Sequence, residues 1–476
     1  MTLTWTSTTT LPTSSSGPPK APLAVSTVST STPSSGNSGY LDPVALTQQL
    51  IRFDTTNPPG NEAQCIEHIK SLLDGAGIQN QVFAKTPGRP NLIARLPGDG
   101  SAPPLLLQGH VDVVPADPAR WRQPPFGGEL VDGFLWGRGS LDMKSGIAMM
   151  LYAIMRAKTD GMIPAGDIVL AVVCDEELGG NLGARYLVED HPEQFQGIRY
   201  AIGEFGGFSF NLGRRRFYPI MVSEKQVCHL RATFRGAGGH ASLTQRDNPM
   251  NGLARFLQRV QSRQLPIHVT PEARMMFQAI GKHLPPPARA GMAALLNPRF
   301  TAVALRLLGA RGRTFNPLFR NTVNPTLVRG GERINVIPEE VSVDLDGRLL
   351  PNIGPERLVS ELAEIAGTGA NIEIEVLSHD AGPRQPDLGL FDTLSSVLKE
   401  SDPEGIAVPM LMPAATDGRL FARLGIQSYG FLPMLLPKTL DFVSAIHGTD
   451  ERVPVAAITF GAGAIYRLLQ RYGRTP

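Results

Sequence analysis

The chain has 476 residues, 42% of them hydrophobic and 18% charged, with a formal net charge of +2. This is the composition of a globular protein too long for one ordinary core, so two domains are expected. The near balance of charge gives no support for a nucleic-acid or membrane partner, and neither is expected.

Ser, Thr and Pro make up 25 of the first 40 residues, which carry one Lys and no Arg, Asp or Glu. Residues 1–40 are expected to form a disordered tail, because so little apolar area cannot offset the entropy of ordering. No apolar run follows a basic start, so no secretory signal is expected. The three cysteines, Cys65, Cys174 and Cys228, form no metal or redox motif and fit a reduced, cytoplasmic setting. No stretch is long and apolar enough for a transmembrane helix.

From residue 41 the pattern alternates between helix and strand. PVALTQQLIRF and NEAQCIEHIKSLLDGAG carry apolar residues at helical spacing. Strand-like runs follow in QNQVFA, NLIARLP and PLLLQGHVDVV, then a helix over Ser145–Ala157. IVLAVVC is apolar on both faces, as buried parallel strands are, and a helix is expected over Asn181–Glu189. This rhythm indicates a layered α/β catalytic domain with a mostly parallel sheet, its first part spanning 41–223. Residues 224–380 read as strand–helix–strand–strand–helix–strand, an inserted α+β domain, interrupted by a Pro-rich, weakly periodic stretch. Residues 381–476 return to the catalytic domain and end on the helix VAAITFGAGAIYRLLQRY.

Five separated clusters stand where an apolar run meets a Gly-rich turn. They are His110 with Asp112, Asp142, the doublet Glu176-Glu177, Glu204, and His447. Each has an ordinary explanation by itself: a hydrogen-bonded His–Asp pair, a helix N-cap at Asp142, a solvated acidic turn, polar loop residues. Taken together they form two ligand sets for a pair of metal ions, each with one His, one Glu and a shared Asp142. One member of the Glu176-Glu177 doublet would ligate while the other acts as a general base.

The stretches GHVDVVP, WRQPPFGGELVDGFLWGRGSLDMKSG, DEELGG, GEFGG, GAGGHAS, GGERINVIPEE, DGRLLP, TDGR and IHGTDERV occur in that order. In them the chain resembles the dizinc metallopeptidase family of glutamate carboxypeptidase, succinyl-diaminopimelate desuccinylase, acetylornithine deacetylase and aminoacylase. The stretch Gln264–Asn321, longer than a minimal lid needs, is closest in flavour to carboxypeptidase S-like members. The resemblance implies a zinc-exopeptidase-like catalytic domain with a ferredoxin-like lid and dimerisation domain. It implies one zinc on His110 and Glu204, the other on Glu177 and His447, and Asp142 bridging, with a cis peptide after it. Glu176 would be the general base, Asp112 would orient His110, and His240 would stabilise the tetrahedral oxyanion, across the dimer in dimeric members. Asn335, Arg348, Thr416, Asp417 and Gly418 would bind substrate, and Arg348 suits a terminal carboxylate.

The activity so implied is zinc-dependent cleavage of an amide or peptide bond in N-acyl amino acids or short peptides with a free carboxylate. A metal-bound hydroxide would attack, with a Glu as general base. Two Zn2+ per subunit are expected, with Co2+ or Mn2+ as substitutes, and a homodimer through the lid domain. Within enzymes the alternative is an aminopeptidase that reads a free amine. From another class the alternative is a catalytically silent metal-binding protein, against which the complete ligand set and Glu176 argue.

Overall fold

The computed structural model describes residues 42–474, apart from 244, 383, 384 and the side chain of Arg311; the tail expected over residues 1–40 lies outside the described residues. The first seven strands of the larger sheet are β1 (Gln79–Ala84), β2 (Pro90–Leu96), β3 (Leu105–His110), β4 (Ile168–Val173), β5 (Tyr200–Gly203), β6 (Phe210–Leu212) and β7 (Arg215–Glu224). Next, β8 (Gln226–Arg235), β9 (Thr322–Arg329), β10 (Glu340–Leu349) and β11 (Ile372–Asp380) build a separate sheet. Finally β12 (Gly405–Met412) and β13 (Gln427–Gly430) rejoin the first.

Among the described residues the larger sheet has nine strands in the order β1-β2-β4-β3-β5-β13-β7-β12, with β6 beside β7. Its centre, β4-β3-β5-β13, is parallel, and antiparallel pairs join this centre to the outer strands. Every residue of β3 and β4 is buried. Successive side chains of a strand leave opposite faces, and both faces are covered here. Leu170 and Val172 join the core formed with the helices Lys144–Thr159 and Val455–Arg471. Val169, Ala171 and Val173 join a second core with Ala184, Leu187 and Phe421. The expected layered α/β architecture is what forms. The helix anticipated from Asn181 starts at Ala184, because Gly183 first passes against the end of β4. A Cβ there would sit 1.9 Å from the Cys174 carbonyl oxygen.

The smaller sheet is antiparallel, ordered β9-β10-β8-β11. The helices Pro249–Ser262 and Pro355–Ala366 close its core around Leu230, Phe234, Phe256, Val343 and Leu362. The chain order strand–helix–strand–strand–helix–strand is the one the residue pattern indicates.

The Pro-rich stretch, which periodicity left unassigned, is helical: Pro271–Lys282, Pro286–Leu295, Pro298–Leu307 and Ala310–Phe315. Three of these begin on Pro, whose fixed φ suits the first helical position and whose missing N–H costs nothing there. Thr270 and Asn297 cap two of them. Phe277, Leu295 and Phe319 pack on Phe217 of β7 and on Val408 and Leu411 of β12. The insert thus covers an edge strand that would otherwise offer free backbone groups. Among the described residues no helix is long and apolar enough to cross a membrane.

Candidate metal centre

Parallel strands bring their C-terminal ends to one side of a sheet, where loops from distant sequence meet. β4, β3 and β5 lie side by side and are followed by Asp175–Glu177, by His110 and Asp112, and by Glu204. Asp142 enters just before the helix Lys144–Thr159, across a cis peptide to Met143, as the resemblance implies. It is not a helix cap, since that helix start has no side-chain cap bond. His447 comes from the loop after Phe442–Ala445. Asp175, Phe205 and His447 all have left-handed φ, of 69°, 57° and 58°. Non-glycine residues held there cluster at functional sites, where surrounding structure imposes the conformation.

The two imidazoles flank one carboxylate. His110 Nε2 is 3.2 Å from Asp142 Oδ1, and His447 Nε2 is 3.2 Å from Asp142 Oδ2. His110 Nε2 is also 3.5 Å from Glu204 Oε2, and His447 Nε2 is 3.2 Å from Glu177 Oε1. Ligand atoms of His110, Glu176 and Glu204 lie within 4.8 Å of one another, as do those of Asp142, Glu177 and His447. The five clusters therefore converge.

Asp112 organises the acidic doublet as much as the imidazole. His110 Nδ1 meets the Asp112 carbonyl oxygen at 2.9 Å and its carboxylate at 3.5 Å. That carboxylate accepts hydrogen bonds from the backbone N–H groups of Glu176 and Glu177, at 3.1 and 3.2 Å, and from Asn57 Nδ2 at 2.9 Å.

Crowded buried carboxylates shift one another. Burial and the Glu204 charge push Glu176 well above the usual carboxylate range. Burial and Asp142 push Glu204 up to about 8. Burial would raise Asp142 too, but hydrogen bonds to both imidazoles hold it well below. The carboxylates of Asp142 and Glu177 beside it raise His447 to about 10. His110 is raised as well: burial opposes its charge, and Asp112, Asp142 and Glu204 outweigh burial. So much opposed charge in one place, half of it buried, suits a cation.

The residues fit such an ion. Glu177 Oε1 and Glu204 Oε2 are buried acceptors without a hydrogen-bond donor, since their short approaches to His nitrogens lack hydrogen-bond geometry. Carboxylate oxygen with imidazole nitrogen is a donor set that first-row divalent metals take.

A cavity of about 1300 Å³ opens beside the cluster, lined by Glu176, Glu177 and His447 together with Arg348, Arg419 and His229. Arg348 reaches it with two of its N–H groups donated to Asp346, at 2.8 and 3.1 Å. Thr416 is held by Glu224, to which it donates from its backbone N–H and hydroxyl. Asp417 lies buried next to Gly180, both its oxygens without a donor, and burial raises it to about 6. Gly418 donates its N–H to Thr416 Oγ1. His240 and Asn335 are not part of this cavity's lining. They sit together on a short ribbon, Gly239–His240 paired with Val336–Ile337, where His240 is exposed beside Ser242.

Asn57, Arg419 and Glu451 escaped the sequence reading. Glu451 is fully buried, pairs with Arg138 at 2.6 Å, and accepts the backbone N–H groups of Leu141 and Asp142. It fixes the peptide that carries the central carboxylate, and its only signal was its place four residues after His447.

The model of the peptidase family M20/M25/M40 matches residues 106–471. The chain belongs to this family. A probable carboxypeptidase S-like 2 of Dictyostelium discoideum is 26% identical over 75% of this chain and 69% of its own length. Aminoacylase-1 of Sus scrofa is 26% identical over 93% of this chain and 98% of its own. Among solved structures, an M20 family metallo-carboxypeptidase from Sulfolobus solfataricus superposes with a TM-score of 0.65 at 16% identity, covering 91% of this chain and 99% of that one. This M20 chain is thus an enzyme, a hydrolase of the metallopeptidase and amidohydrolase kind.

Proposed function

We propose that this enzyme is a two-zinc hydrolase of N-acyl amino acids or short peptides that carry a free carboxylate. The observation that carries the reading is Asp142, with one oxygen toward His110 and the other toward His447. His110 and Glu204 would hold one ion, Glu177 and His447 the other, and Asp142 both. Ions bound there would polarise the amide carbonyl and make water more acidic. Glu176, which lines the cavity beside the ligand atoms of His110 and Glu204, takes a proton from the attacking water and returns it to the leaving amine nitrogen. Asp112 orients His110 and Glu451 fixes the Asp142 peptide. Arg348 and Arg419, both lining the cavity, supply positive charge for the substrate carboxylate; Thr416, Asp417 and Gly418 lie buried behind that lining, between Ala415 and Arg419, and would act on substrate from there. Cobalt or manganese would substitute for zinc.

His240 and Asn335 act from a partner subunit in this reading, which their exposure away from the cavity lining supports. The edge strand β9 exposes Leu327 and Val328, apolar surface suited to pairing with a second copy. The three cysteines are all buried and unpaired, which supports the cytoplasm as its location.

The deciding experiment is Glu176→Gln. The variant should keep its zinc and lose about 10²–10⁴-fold in kcat on an N-acyl amino acid or dipeptide. Turnover at the wild-type rate would remove Glu176 from the chemistry.

A further inference from the structure

The charge of this chain is unevenly placed. Between Gln264 and Asn321 stand eight Lys and Arg residues and one acid, Glu272, a formal +7 against +2 for the whole chain. Glu272 is buried, so the outer surface of the four insert helices carries only positive charge among the described residues. Arg274, Lys282, Arg299, Arg306 and Arg313 are exposed, and none of them is in an ion pair among the described residues.

The helix Pro298–Leu307 adds a second feature. Thr301 and Leu305 face the insert core. Phe300, Val303 and Leu307 are 55%, 50% and 83% exposed. Spaced three and four apart, they form one apolar stripe on the opposite side of the helix. Arg299 and Arg306 run along one side of it. At the foot of this helix lies a cavity of about 820 Å³, lined by Phe277, Met292 and Leu296 and by the cations Arg274, Lys282 and Arg289.

We propose that the helical insert docks on an anionic phospholipid surface, with Phe300, Val303 and Leu307 entering the boundary between headgroups and acyl chains. A helix with an apolar stripe bordered by Arg is an arrangement that lies in such an interface, and each cation is drawn to the negative surface. The apolar cavity ringed by cations has the same chemistry as the stripe: room for an acyl chain beneath groups that bind a phosphate. A second copy of this chain is the weaker occupant, because two such faces would set unpaired positive charge against positive charge. Nucleic acid would leave the apolar stripe without a partner. Because the insert packs on β7 and β12 of the catalytic sheet, docking would hold the hydrolytic domain itself at the lipid surface.

The test is sedimentation of the zinc-loaded full chain with vesicles of phosphatidylcholine plus phosphatidylserine, and with vesicles of phosphatidylcholine alone. The wild type should pellet with the anionic vesicles only, less at high salt, and both Phe300→Ser/Leu307→Ser and Arg299→Glu/Arg306→Glu should reduce the bound fraction about tenfold or more. Hydrolysis of a water-soluble substrate should be unchanged in both variants, which shows that they fold. A wild type that stays in the supernatant with anionic vesicles would overturn the proposal. So would binding that neither variant weakens, or a stripe whose only measured effect is on self-association.

Discussion

At the scale of single residues the centre is governed by opposed charge. Two imidazoles and four carboxylates stand together: His110, Asp142 and Glu204 buried, Glu176 and Glu177 half-buried, and His447 on the open side. Removing one counter-charge leaves others without a partner, and buried unpaired charge is expensive. Glu451 is the sharpest case, since its carboxylate balances Arg138 and holds the Asp142 N–H. Glu451→Gln should lower zinc affinity about 10–100-fold, as loss of a partner behind a ligand does. Titration of the stripped enzyme with a competing zinc indicator reads this directly, and an unchanged affinity would show that Asp142 is held by its own loop. Of these residues, the sequence singled out every one except Glu451. His110, Asp142 and His447 could be recognised because each is a charged or imidazole group at the end of an apolar run. Glu451 could not, because its partner Arg138 is over 300 positions away and nothing local marks it as buried.

At the scale of elements, one residue joins the two sheets. Lys225 lies between β7 and β8, fully buried, and donates to the Arg320 carbonyl oxygen at 2.9 Å and to Thr322 Oγ1 at 3.0 Å. Burial pulls its pKa from 10.5 down to about 7. Between those values the unfolded chain binds the extra proton, so this lysine's contribution to stability grows as pH rises and its penalty is complete below about 7. Unfolding free energy of the wild type should therefore rise relative to Lys225→Met from pH 7 toward 10.5, by up to about 1.4 kcal/mol per pH unit. Urea unfolding of both proteins across that range measures it, and parallel pH profiles would refute it. Glycines tell a second story at this scale. A Cβ on Gly206 would stand 2.0 Å from the Gly430 carbonyl oxygen, backbone against backbone with no flexible side chain to yield. Gly206→Ala should cost about 3 kcal/mol or more and be seen as a lowered unfolding midpoint. The strands and helices themselves were largely legible: β4 from its unbroken apolar run, Lys144–Thr159 from helical spacing. The insert helices were not, since their Pro residues read as breakers until their N1 positions are known.

For the whole molecule, metal and assembly are the decisive variables. An ion that binds only the folded state stabilises it in proportion to the logarithm of its concentration over its Kd. Chelation should therefore lower the unfolding midpoint, and added zinc should restore it stepwise in a thermal scan. A midpoint blind to both would mean that the cluster holds no ion. If His240 serves the partner's centre, Glu176→Gln and His240→Ala, each inactive alone, should regain about a quarter of wild-type activity when subunits are exchanged, because one site in each mixed dimer is whole. No recovery after verified exchange would place His240 in its own subunit's chemistry or outside it.

The sequence by itself determined the layered α/β class, the α+β insertion and the family, and it singled out nearly every side chain that the structure gathers in the candidate metal cluster. These rest on local pattern: period, turn residues, and polar groups at strand ends, all carried by neighbours in the chain. Tertiary structure alone decided what faces what. It set Asp142 between the two histidines, gave Arg348 a partner in Asp346, and moved His240 and Asn335 away from the cavity. It also laid the Pro-rich helices on the edge of the catalytic sheet with their cations outward. Such facts depend on which distant segments fold into contact and on which side of an element meets water, and neither is encoded in spacing along one chain.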